Sequence, residues 1–232
     1  MNLVDDSIFE VNKDFDLQVH EIGNLKSRVV VIDNFLLHPE KFREFLESIP
    51  FQDSIQENVM PRGFYPGYQN YMNYNFGDIE QCVKFLVNQH FGYQIPFFNC
   101  SFQCVDGNKK VYSQSNLPHC DNRTIAGNIF LNTENEIDGR SGTSFYRFKS
   151  TGEESFFANA CLYRKERYRF LNPDLSLSDF SPIEDNDDYT MYHLSEMKFN
   201  RLNLYEGSLF HSVFIEPGKF RENRRMSFSF IG

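Results

Sequence analysis

From Pro96 onward the chain changes its hydrophobic period. Phe98, Cys100, Phe102 and Cys104 alternate with Asn99, Ser101 and Gln103, a period of two that only an extended strand with one buried face satisfies. Asp106-Gly107 reads as a turn. Further strand-like runs follow at Val111 to Ser113, Ile125 to Leu131, Ser144 to Phe148, Arg201 to Tyr205, Ser208 to Ile215 and Arg225 to Ile231. Before Pro96 the helical period dominates. Arg28 to Phe35 predicts one buried strand. His38 to Ile49 predicts a helix with Pro39 in its first turn and Phe42, Phe45, Leu46 and Ile49 on one face. Asp78 is placed to cap a second helix carrying Ile79, Cys82, Val83, Leu86 and His90. Helices early and strands late predict an α+β protein in which helices back a β-sandwich or distorted barrel.

The 232 residues suit a single domain, and a 41% hydrophobic fraction with 26 Phe, 12 Tyr and no Trp supplies a large core. Pro61 to Gly67 predicts a loop. The stretch 151–200 interrupts the strands with a helix expected at Glu153 to Tyr163, a basic cluster (Arg164, Lys165, Arg167, Arg169) and an acidic run (Glu184 to Asp188). It reads as a decorated surface loop or as an insertion or lid over a site. A net charge of -9 makes nucleic acid a poor partner. Five scattered cysteines, an acidic N-terminus and no apolar run of transmembrane length predict a cytoplasmic protein with thiols and no membrane segment.

Leu117-Pro118-His119-Cys120-Asp121 places His119 and Asp121 at i and i+2. On extended backbone both side chains point the same way, and Cys120 points opposite. A third ligand has to come from a distant strand, and His211 in Leu209-Phe210-His211-Ser212-Val213 sits on one. Two imidazoles and one carboxylate suit Fe(II) with positions left open, and they also suit a Zn(II) or Mn(II) hydrolase. On the terminal strand Arg225 and Ser227 share a face and can hold a carboxylate through a guanidinium fork and a hydroxyl. A thiol enzyme built on Cys120 lacks an arranged base.

These motifs, together with "VVVIDNFLLHPEKFREFL" and "GRSGTSFYRF", resemble the iron(II)/2-oxoglutarate-dependent dioxygenase superfamily, in particular its prolyl hydroxylase-like branch, from about Arg28 to Gly232. The resemblance implies a double-stranded β-helix, a jelly-roll or cupin-like distorted barrel backed by the N-terminal helices, with 1–232 as one dioxygenase domain. It implies Fe(II) held by His119, Asp121 and His211, and 2-oxoglutarate held by Arg225 and Ser227. Arg221 and Arg224 compete with Arg225 as the anchor. Asn128 is a candidate for a hydrogen bond to the cosubstrate or, equally, a structural amide; Thr143 and Tyr146 are weaker candidates. The implied reaction uses molecular oxygen to hydroxylate an amino-acid, peptide or other small polar substrate. Retention of Asp121 points to hydroxylation or a related oxidation rather than halogenation. A catalytically inactive barrel acting as a binding module is the alternative outside enzymes. The Tyr- and Asn-rich stretch Tyr65 to Asn75 reads either as an aromatic, polar pocket wall or as a surface loop.

Overall fold

The computed structural model describes residues 6–53, 65–71, 74–112, 117–121, 123–137, 139–155 and 177–232. The loop expected at Pro61 to Gly67 lies mostly outside them, as do the basic cluster and nearly all of the helix expected at Glu153 to Tyr163.

Strand β1 (Asp16–Ile22) pairs with β2 (Ser27–Asp33) in a hairpin, and α1 (Pro39–Ser48) follows. Two short strands, β3 (Gln52–Asp53) and β4 (Tyr68–Asn70), precede α2 (Gly77–Phe91). The remaining strands are β5 (Asn99–Val105), β6 (Lys110–Tyr112), β7 (Ile125–Phe130), β8 (Ser141–Phe148), β9 (Leu177–Asp179), β10 (Tyr189–Glu196), β11 (Arg201–Glu206), β12 (His211–Ile215) and β13 (Arg225–Ile231). Eight of them form one sheet in the order β1-β2-β11-β7-β13-β5-β4-β3, three form a second in the order β10-β8-β12, and β6 pairs with β9. The pairings are antiparallel.

Alternation along the strands divides the large sheet into two faces. Val30 and Ile32 of β2, Leu202 and Leu204 of β11 and Phe102 and Phe228 of β5 and β13 point to the helices. There they meet Phe42 and Leu46 of α1 and Ile79, Val83, Leu86 and Val87 of α2. Edge-to-face ring contacts knit this layer: Phe42 lies 5.8 Å from Phe102 and 5.7 Å from Phe228. Each fully buried Phe contributes roughly 1.5–3 kcal/mol. The intervening residues Val29, Val31 and Tyr205 turn the other way and pack on Phe145 of the small sheet. The order is therefore helices, large sheet, small sheet.

Pro39 occupies the first turn of α1. Asp78 does not cap α2: Phe76 is the N-cap residue and makes no side-chain cap bond. Asn75 Oδ1 instead accepts from the Gly77 N–H at 3.2 Å, and Asp78 sits inside the first turn, where a carboxylate favours the helix dipole.

Strand β10 lies inside the 151–200 stretch, where no strand is expected. A register shift between Met191 and His193 breaks its alternation. The expected barrel takes the form of two facing sheets, and no strand pair joins them among the described residues. One edge, β1, is exposed at six of seven positions and carries Asp16, His20 and Glu21, which discourages further pairing. No described helix is long and apolar enough to cross a membrane.

Candidate metal centre

His119 lies just outside the named strands but is locked to β12 by a two-way bridge. Its N–H donates to the His211 carbonyl at 2.9 Å, and the His211 N–H donates back at 2.8 Å. Two residues on, the Asp121 N–H donates to the Gly207 carbonyl at 2.8 Å. Glycine is needed there, because a Cβ at Gly207 would stand 2.7 Å from the Arg123 carbonyl oxygen and 3.3 Å from Asp121 Cβ. The main chain thus presents both side chains in the way the i, i+2 spacing predicts. Cys120 turns away and packs against Tyr146, Phe148, Tyr189 and Phe210.

One ligand atom from each of His119, Asp121 and His211 falls within 4.8 Å of the others. His119 Nδ1 faces the Leu117 carbonyl at 3.4 Å, and His211 Nδ1 faces the Leu209 carbonyl at 2.8 Å. Those carbonyls favour the tautomer with Nδ1 protonated and leave each Nε2 lone pair for a ligand. His211 Nε2 is 3.4 Å from Asp121 Oδ2. Burial and the neighbouring His211 pull His119 down to about 4, although Asp121 and the Leu117 carbonyl oppose this. Burial resists ionisation of Asp121, but the close approach of His211, with His119 and Arg123 acting in the same direction, holds it below the usual carboxylate range. At neutral pH the cluster offers a neutral His119 and an ionised Asp121, the forms that bind a divalent cation. Tyr205 supports it from β11, edge-on to His211 at 4.9 Å.

The three residues line a cavity of about 800 Å³ that opens between the two sheets. Arg225, Asn128 and Thr143 line it as well. Arg225 is 2% exposed. Its Nη1 reaches the fully buried Ser227 Oγ at 3.5 Å, and its guanidinium lies over the Phe130 ring at 5.2 Å. Its Nε has no hydrogen-bond partner, and no carboxylate pairs with it among the described residues. Burial lowers its pKa, partly offset by Tyr65 and Tyr205. Arg221 and Arg224 are exposed and lie outside the cavity wall; Arg224 stands over Tyr68 and 3.9 Å from Asp106.

Asn128 Nδ2 donates to Thr143 Oγ1 at 3.0 Å, a bond that crosses from one sheet to the other. Tyr146 is fully buried, and its hydroxyl donates to the Ile183 carbonyl at 2.8 Å, which makes it a packing residue outside the cavity wall.

The Tyr- and Asn-rich stretch is divided between the two readings given for it, and two residues of β11, Tyr205 and Asn203, were not singled out from the sequence. Tyr65, Gln69 and Tyr71 of the Tyr-rich stretch line the cavity, whereas Tyr74 packs among the helix-side rings. Tyr205 could have been found from the alternation of β11, which puts it on the face opposite Leu202 and Leu204. Asn203, on that same inner face and directly across from Asn128, is fully buried with neither amide atom hydrogen-bonded. A group left in that state costs about 1–3 kcal/mol.

Among solved structures the chain is similar to a prolyl hydroxylase in complex with a hypoxia inducible factor oxygen degradation domain peptide fragment from Trichoplax adhaerens. That match has 13% identity over 88% of this chain and 82% of that one, with a TM-score of 0.48. It is also similar to a Pseudomonas putida prolyl-4-hydroxylase, at 12% identity over 88% and 86% with a TM-score of 0.42. An N-substituted L-amino acid dioxygenase from Burkholderia ambifaria matches at 9% identity over 87% and 81%, with a TM-score of 0.38. No curated protein matches the chain. A family model, that of the family of unknown function DUF6445, matches residues 13–226, and the chain belongs to that family.

Proposed function

We propose that the protein is an Fe(II)- and 2-oxoglutarate-dependent dioxygenase that hydroxylates an amino-acid, peptide or other small polar substrate. One observation carries the reading: a His-Asp-His cluster and a buried arginine, without a carboxylate partner among the described residues, line the same cavity. His119, Asp121 and His211 would hold the metal. Their two imidazole nitrogens and one carboxylate fit Fe(II) and leave coordination positions open. Arg225 and Ser227 would hold the far carboxylate of 2-oxoglutarate, giving the guanidinium the anion it lacks. When bound, iron and cosubstrate would supply the oxidation of a substrate C–H bond by molecular oxygen.

The protein's part is to bind, orient and exclude water. The Leu117 and Leu209 carbonyls fix the two imidazole rings. Tyr205 buttresses His211. The Asn128–Thr143 bond holds the two sheets in register across the cavity. A Zn(II) or Mn(II) hydrolase would use the same three ligands but would leave Arg225 without a role.

Calorimetry of the Mn(II)-loaded protein with 2-oxoglutarate tests the reading. Saturable binding is expected in the wild type, with loss in Asp121→Ala and His211→Ala as metal affinity falls by about 100-fold or more. Absence of binding in the wild type would sink the dioxygenase reading. Binding lost in Arg221→Ala but retained in Arg225→Ala would move the anchor to Arg221.

A further inference from the structure

Two buried polar groups reach the cavity from distant parts of the chain. Arg225 comes from β13, the last strand. Tyr65 comes from the bend just before β4. Its ring packs against the apolar cluster that contains Val105 and Phe130. Arg225 stands on the same patch: it is the cross-strand partner of Val105, and its guanidinium lies over Phe130. Both residues line the same cavity.

Each carries a buried polar atom without a hydrogen-bond partner among the described residues: the Tyr65 hydroxyl and Arg225 Nε. Natural structures rarely bury such groups unless something completes them. The segment that carries Tyr65 is also closely held. A Cβ at Gly67 would stand 2.1 Å from the Cys104 carbonyl oxygen, so only glycine allows the backbone to press this tightly on β5. Lys109, itself paired with Asp53, donates to the Gly67 carbonyl at 3.1 Å.

We propose that Tyr65 is a second anchor for the carboxylate that Arg225 binds, with its phenol O–H donating to a carboxylate oxygen. On this inference, which rests on the dioxygenase reading above, Tyr65 and Pro66 form one wall of the cosubstrate pocket. Burial raises the Tyr65 pKa further above its ordinary range, so the hydroxyl keeps its proton and acts as a donor at neutral pH. A guanidinium and a phenol together satisfy more of the carboxylate's acceptor sites than either alone.

The test compares two ligands on the Mn(II)-loaded full chain. One is 2-oxoglutarate; the other is 2-oxobutanoate, which has the metal-binding 2-oxo acid but no far carboxylate. Tyr65→Phe removes only the hydroxyl, and its thermal midpoint is measured alongside. We expect Tyr65→Phe to weaken 2-oxoglutarate by about 10-fold to 100-fold, the loss of one hydrogen bond to a charged group. Its affinity for 2-oxobutanoate should not change. Equal affinity of wild type and Tyr65→Phe for 2-oxoglutarate overturns the inference and leaves the dioxygenase reading standing. Equal weakening of both ligands also overturns it, because the hydroxyl would then serve the fold of the site as a whole. Failure of the wild type to bind 2-oxoglutarate overturns both.

Discussion

The two faces of the large sheet are made by the same strands and obey opposite rules. Toward the helices, Phe102, Phe228, Val30, Ile32, Leu202 and Leu204 form a dry layer of interlocking rings and branched chains. Toward the small sheet, the alternate positions of those strands hold Arg225, Ser227, Asn128, Asn203 and Tyr205. The first face carries much of the stability. The second keeps buried polar groups without partners, a cost that a fold retains where function requires it. A third arrangement sharpens the contrast. Asp33, at the end of β2, is also a largely buried charge, but it accepts from Arg201 Nε at 2.6 Å, Arg201 Nη2 at 2.9 Å and Lys198 Nζ at 2.9 Å.

The largest effect belongs to the helix side. Phe228→Ala should destabilise the protein by about 4 kcal/mol in denaturant unfolding. A loss under about 1 kcal/mol would show that this face is not the main core.

Asp33→Asn removes a paired charge and should cost about 2 kcal/mol at neutral pH. The hydrogen bond from Arg201 is the chief reason its carboxyl lies below the ordinary 3.8, followed in the same direction by Lys198, with burial opposing. A depressed carboxylate contributes its stability fully above the unfolded value and loses it as pH falls through the folded one. The wild-type and Asp33→Asn unfolding curves should therefore converge below about pH 4. A constant gap down to the most acid values would show that the pair is not the source of the difference.

Arg225→Met replaces an unpaired buried charge with an apolar chain of similar length. It should raise stability by about 1–2 kcal/mol while abolishing 2-oxoglutarate binding. A fall in melting temperature as large as that of Phe228→Ala would break the comparison, since Arg225 would then be structural.

The smallest effect is expected of Asn203→Leu, a gain of about 1 kcal/mol from removing an unpaired buried amide, read as a rise in thermal midpoint. Destabilisation would show that the amide has a partner in solution.

Much of the layering was legible along the chain. The change of period at Pro96 marks β5, the i, i+3, i+4, i+7 pattern marks α1, and β13 runs over the segment where alternation places Arg225 and Ser227 together. These signals are short-range and depend only on the repeat of a helix or strand. Asp78 misled because a good capping residue two positions past the N-cap has much the same local pattern as one at the cap itself. Strand β10 was hidden because its bulge destroys the period of two.

The His119, Asp121 and His211 cluster stands between these cases. The i, i+2 spacing orients two of its members, while the approach of His211 depends on a backbone bridge to a strand far along the chain. By itself the sequence determined which residue types were present and which of them share a face of one element. Tertiary structure alone decided that Tyr65 and Arg225 line one cavity, that Arg221 stays in solvent and that Asn203 is left unpaired among the described residues. The reason is physical: burial and hydrogen-bond satisfaction are properties of the packed neighbourhood, and that neighbourhood is assembled from strands distant in sequence.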